Sequence, residues 1–310
     1  MPGLVLIPMR LGALAYLALG WTVMTSAVNF ARPPDYTQNT KPRKKRVRQC
    51  PAKPFEAGCE LPFPNGILRE IDRVCPKEGV CTTGRNTRLQ NEIKNNFCAK
   101  GPAVEIGIAS LDQLQTVVDQ MVSKRQFSYG KGHVPPKPAE RVKLRSLPTV
   151  DVHNQPVMLS EGSLVTFEGF VLEAKHDYSF PLLSHGEREN CNNPALEWND
   201  IHISLGDTPT AAECTSVTAK ISPHFRPASW ERIDSNRVTA EFVIKPLPVK
   251  QLRIKVTGQL FFDGSHLPRP CQIPKRRTSW EIHPVYAIEV FDPALDKFVD
   301  FDDWAKTSKQ

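Results

Sequence analysis

Residues 280–290 read WEIHPVYAIEV, and the spacing of their apolar side chains decides the fold class. Trp280, Ile282, Ile288 and Val290 share one parity, the period of two that sets alternate side chains of a β-strand on one face. The same period recurs upstream. Leu252–Phe262 (LRIKVTGQLFF), Val217–Ile221 and Leu164–Ala174, with Val165, Phe167 and Val171, each read as a strand. In a fifth, Ile201, Ile203 and Leu205 alternate with His202 and Ser204. A long connection bearing Trp230 and several prolines separates the third strand from the fourth. Five short strands with that excursion after the third follow the order of an OB barrel, and an SH3-like barrel or a small sandwich gives a similar pattern.

N-terminal to the strands the period becomes helical. Leu89, Ile93 and Phe97 stand four apart within Arg85–Phe97, and Leu111, Leu114, Val117, Val118, Met121 and Val122 line one face of the next segment. Ser110, with Gln113 three residues on, has the pattern of a helix N-cap. The second of these apolar stripes reads as core packing. The expected fold class is α+β: a five-stranded OB-like β-barrel over 150–295, preceded by a small helical, cysteine-bearing region over 55–145. A signal segment over 1–27, a basic Pro-rich linker over 28–54 and an acidic, polar tail over 296–310 complete the expected organisation.

Leu11–Met24 (LGALAYLALGWTVM) is an apolar run of 14 residues, the length of a signal-peptide core and short of a membrane span. Thr25, Ser26 and Ala27 supply small residues that place cleavage after Ala27; an uncleaved N-terminal anchor is the other reading. The KPRKKRVR run at Lys41–Arg48 argues against export, because positive charge tends to stay cytoplasmic. The cysteines argue for it. All eight lack CxxC spacing, which favours disulfides in an oxidising compartment over a thiolate metal site. The chain is therefore expected to be secreted, or held in the periplasm or cell envelope. Cys75, Cys81, Cys98, Cys191, Cys214 and Cys271 are the bridge candidates, and Cys191–Cys214, flanking the second strand, is the expected pair.

The net charge of +7 is unevenly placed: residues 151–310 hold 17 Lys/Arg against 22 Asp/Glu, so the basicity belongs to the N-terminal half. A basic run over 41–48 is weakly attracted to anionic surfaces, whereas an acidic β domain disfavours nucleic acid as its partner.

Five phrases resemble, in combination, a family of exported bacterial proteins with no established activity. They are NNFCA (Asn95–Ala99), DIHISLG (Asp200–Gly206), HFRP (His224–Pro227), GQLFFD (Gly258–Asp263) and SWEIHPV (Ser279–Val285). The resemblance covers roughly Cys75–Val290 and implies a compartment and a fold, but no chemistry.

Hydrolase signatures are missing: the chain has no GxSxG elbow, no HExxH and no Walker loop. The histidines carry the remaining chemistry. Asp200 and His202 share the face opposite Ile201 and Ile203; Glu281 and His283 share the face opposite Trp280 and Ile282; His266 follows the fourth strand. His202, His266 and His283 with a carboxylate are the donor types of a zinc or copper site. The plainer reading is histidines bonded to backbone at strand ends. Arg226, near Trp230, is a further binding candidate. By parity Glu281 and His283 are expected to face outward, with His283 partly exposed and close to His202. The functional expectation is a non-enzymatic exported binding or scaffold module without a cofactor. Its partners would be a glycan, a peptide or an envelope protein. The alternative is a metal-dependent hydrolase using a His/Glu/Asp cluster on the barrel surface.

Overall fold

The computed structural model describes residues 50–60, 66–176, 186–234, 249–268, 271–272 and 275–308. The expected signal segment and the 41–48 basic run lie outside the described residues.

The chain leading into the barrel forms two short helices, α1 (Glu70–Val74) and α2 (Arg85–Lys94), then strand β1 (Val104–Ile106) and helix α3 (Ile108–Ser123). The short helix α4 (Pro138–Arg141) follows, and then the hairpin of β2 (Leu147–Val150) and β3 (Pro156–Leu159). Ser110 is not the N-cap of α3. The helix starts earlier, and the Ser110 hydroxyl accepts from the Gly107 N–H at 3.0 Å. Most of the apolar stripe of α3 is core, as its spacing predicts, with Leu111, Leu114 and Val118 fully buried, but Val122 at its far end is exposed.

The barrel is built from β4 (Leu164–His176), β5 (Ile201–Gly206), β6 (Val217–Ile221), β7 (Arg253–Phe262) and β8 (Trp280–Asp292). β4 is long because it serves two barrel neighbours, besides β1, which runs parallel to Val165–Phe167. Its first half, Leu164–Phe170, runs antiparallel to β7, and its second half, Phe170–His176, runs antiparallel to β5. β5 pairs antiparallel with β6, β6 pairs parallel with β8, and β8 pairs antiparallel with β7. The circuit β4–β5–β6–β8–β7–β4 is closed, which removes the unpaired edges that an open sheet would present. This is an OB-like barrel, and its five strands are the five read from the sequence. Where β4 changes partner, Gly169 is required: a Cβ there would stand 2.9 Å from the Gly206 carbonyl oxygen and 2.8 Å from the Phe167 ring.

One parity of each strand fills the interior, with Val165, Phe167, Ile203, Leu205, Ala219, Val256, Leu260, Phe262, Trp280, Ile282 and Ile288 all buried. Each large apolar side chain so enclosed contributes about 1.5–3 kcal/mol relative to exposure.

Two expectations need correction. The 296–310 segment is not simply a polar tail. Lys297–Asp300 forms β9 against β8, and Phe301–Thr307 forms α5, with Phe301 and Ala305 buried and Asp300 accepting the Asp302 N–H at 2.8 Å. The period-two and helical stretches there are each too short to be read from pattern alone. The Cys191–Cys214 pair does not form either. The bridges are Cys50–Cys81, Cys59–Cys98, Cys75–Cys191 and Cys214–Cys271. Cys191 precedes β5 and Cys214 follows it, so a strand of six residues, about 20 Å long, separates them. Cys214 and Cys271 instead precede β6 and β8, which run parallel from the same end of the barrel. Four bridges of this kind belong to an oxidising compartment. Among the described residues no helix is long and apolar enough to cross a membrane.

Candidate functional site

Strand alternation gives β5, β6, β7 and β8 a second face, carrying Asp200, His202, Lys220, Phe261, Glu281 and His283. Alternation alone would leave that face in water. Here it is covered by α2, whose Lys94 meets Glu189 and Phe261, and by the 186–199 loop, which Cys75–Cys191 ties to the end of α1. Gly79 (φ +67) lets the loop in closely: a Cβ would lie 2.3 Å from the Arg188 carbonyl oxygen, which accepts the Val80 N–H at 2.9 Å. The buried residues of α2 are Gln90, Asn91 and Lys94. The helix thus turns its polar side to the barrel, because the surface it meets is itself charged, while Leu89 and Ile93 line a groove beside it.

The outward, partly exposed His283 expected from parity is therefore corrected. Glu281 and His283 do oppose Trp280 and Ile282, but His283 is 0% exposed and Glu281 is equally enclosed. The reason is the second layer, which no single strand records.

Beneath that layer runs a chain of charged groups. His266 Nδ1 stands 3.1 Å from Asp263 Oδ2, and Arg276 Nη1 donates to Asp263 Oδ2 at 3.0 Å and also to Glu281 Oε1. Glu281 Oε2 lies 3.8 Å from His283 Nδ1 and 4.0 Å from Lys220 Nζ. His283 Nε2 lies 3.3 Å from Asp200 Oδ2. Asn190 Nδ2 then donates to Asp200 Oδ1 at 3.0 Å and to Glu187 Oε2 at 2.9 Å, and the Asp200 N–H donates to Glu187 Oε2 at 2.7 Å. Glu187 Oε1 faces His202 Nε2 at 3.6 Å. The chain is sealed in the middle and open at its ends, where the side chains of His266 and His202 are 41% and 24% exposed. In its interior His283 Nδ1 and Nε2, Asp200 Oδ2 and Glu281 Oε2 have no hydrogen-bond partner among the described residues.

The field inside is uneven. Burial and the nearby Glu187 carboxylate raise Asp200 to about 6. Burial would raise Glu281 as well, but Lys220 and Arg276 outweigh it and hold that carboxyl at about 2. Burial opposes the charge on Lys94, yet Glu189, with which it is paired, and Asp263 keep its ammonium well above the usual range. A protonatable carboxyl and a firmly ionised one thus flank the same imidazole.

The structure brings Asp200, His202, His266, Glu281 and His283 into this one chain. Arg226 stands apart from it. Fully buried, it donates to Glu231 Oε1 from Nε (3.1 Å) and Nη2 (2.9 Å), and to the Asn199 carbonyl at 3.0 Å, so it fixes the backbone just before Asp200. Glu231 Oε2 in turn meets His176 Nε2 at 3.0 Å, and His176 Nδ1 meets Asp234 Oδ2 at 2.7 Å. Sequence reasoning missed Lys94, Glu187, Glu189, Asn190, Lys220 and Asp263. Lys220 carries a readable signal, since it alternates with Ala219 and Ile221 as His202 does with its neighbours. The loop residues carry none.

No family model and no curated protein matches the chain. Among solved structures it is similar to one described as the crystal structure of yeast Stn1 and Ten1. That match has 10% identity and a TM-score of 0.27, covering 69% of this chain and 79% of that one. At that level nothing about ligand or partner carries over, and the OB-like assignment stands on strand order and register.

Proposed function

We propose that the chain is an exported, non-enzymatic binding module that holds a short peptide segment of mixed charge. The observation carrying this reading is the groove beside α2, about 490 Å³ in volume, which falls within the range of ligand sites. Leu89, Ile93 and the half-exposed Val142 give it an apolar stripe, flanked by the cations Lys77 and Arg145 and the anions Glu92 and Glu161. Its floor is rigid: Gln259 donates to the Ile93 carbonyl at 2.8 Å and to the His283 carbonyl at 3.0 Å. Among the described residues no aromatic ring lines it, which favours a peptide over a sugar that would stack. Export is supported by the four disulfides together with the apolar run at Leu11–Met24. Fluorescence anisotropy with hexapeptides of varied charge tests the reading. Mixed-charge peptides should bind, and the pair Lys77→Glu with Arg145→Glu should weaken them at least tenfold. Binding that ignores this charge reversal, or no binding up to about 1 mM, would sink it.

A further inference from the structure

We propose that Glu187, Asp200, His202 and His283 form a binding site for a single divalent transition-metal ion of the zinc type. Glu187, Asp200 and His202 each offer one ligand atom, and the three atoms lie within 4.8 Å of one another. His283 stands beside that group on the barrel side, its Nε2 3.3 Å from Asp200 Oδ2, and completes the set as a fourth ligand by a turn of its ring toward Glu187 and His202. A tetrahedral ion with ligand bonds of about 2.0–2.1 Å has edges of about 3.3 Å, so that spacing is already the one required. The 3.6 Å between Glu187 Oε1 and His202 Nε2 needs a small closure, and the other ligand atoms draw in further on binding.

The surroundings direct these atoms inward. Asn190 Nδ2 holds Asp200 by Oδ1 and Glu187 by Oε2, which leaves Asp200 Oδ2 and Glu187 Oε1 turned toward the two imidazoles. Outer partners of this kind orient metal ligands in known sites. Asp200 Oδ2 and His283 Nε2 are both buried and have no hydrogen-bond partner among the described residues, an expensive arrangement that a bound cation would relieve. Two carboxylates and two neutral imidazoles around a divalent ion are formally neutral, which suits an enclosed position. Mixed imidazole and carboxylate donors favour zinc over magnesium or calcium. The ion would enter past Glu187 and His202, whose side chains are 11% and 24% exposed, and settle on Asp200 and His283.

The test uses the full oxidised chain, stripped with a chelator and titrated with Zn²⁺ by calorimetry and with Co²⁺ by visible absorption. One equivalent of each should bind, Co²⁺ giving the intense absorption of a four-coordinate site. His202→Ala and Glu187→Gln, at the partly exposed mouth, should keep the native circular dichroism and lower Zn²⁺ affinity at least tenfold. His266→Ala should leave it unchanged. Absence of stoichiometric Zn²⁺ and Co²⁺ uptake by folded wild-type protein would overturn the proposal. So would wild-type affinity in both mouth variants.

Discussion

His283 Nε2 and Asp200 Oδ2 face each other at 3.3 Å across the β5–β6–β8 surface, both closed off from water by a layer that the chain folds back over its own barrel. An imidazole in that position is part of a buried polar system and no longer a surface group. His283→Ala should therefore cost about 2–4 kcal/mol, because it leaves Asp200 and Glu281 enclosed without it. Urea unfolding of the oxidised protein measures this. A cost below about 0.5 kcal/mol, the size of a surface substitution, would place His283 in solvent.

The barrel was legible because burial on one face imposes alternation, and alternation survives in the letters: Ile201, Ile203 and Leu205, or Trp280 and Ile282, report their own strand. The second face was half legible. Parity correctly opposed Glu281 and His283 to the core. Whether that opposite face meets water depends on Cys75–Cys191 and on α2, more than 90 residues away from the loop it meets in the Lys94–Glu189 pair. The α2 periodicity marks the helix but not its packing face: Leu89 and Ile93 form a regular stripe, yet Gln90, Asn91 and Lys94 make the buried contact. A polar helix face packed on a polar sheet face leaves no hydrophobic signature in either segment.

The Cys75–Cys191 bridge joins residues 116 apart and ties α1 to the covering loop. The double variant Cys75→Ala with Cys191→Ala should lose stability by up to about 5 kcal/mol on the chain-entropy model. Peptide mapping without reduction should recover Cys75 with Cys191 and Cys214 with Cys271. A Cys191–Cys214 peptide would contradict the described loop arrangement.

Glu231 sits below the usual carboxylate range: burial alone would raise it, but Arg226, His176 and Arg69 outweigh that. Because its folded value is depressed, its contribution to stability is fully present above the unfolded value, about 4.3, and fades as the pH falls below it. Glu231→Gln should thus be less stable than wild type by about 3–5 kcal/mol at pH 7, as when one partner of a buried ion pair is removed. The gap should narrow as the pH drops from about 5 toward 3. Parallel stability curves for the two proteins across that range would show that Glu231 is not held in this way.

Whether a disulfide-tied layer seals the polar face of the barrel is read out by histidine acylation with diethyl pyrocarbonate, followed by peptide mass. In the oxidised native protein His266, whose side chain is 41% exposed, should react readily while His283 stays unmodified. In the Cys75→Ala, Cys191→Ala variant, opening of the layer should let His283 react. Modification of His283 at the rate of His266 in the native, oxidised protein would contradict the account.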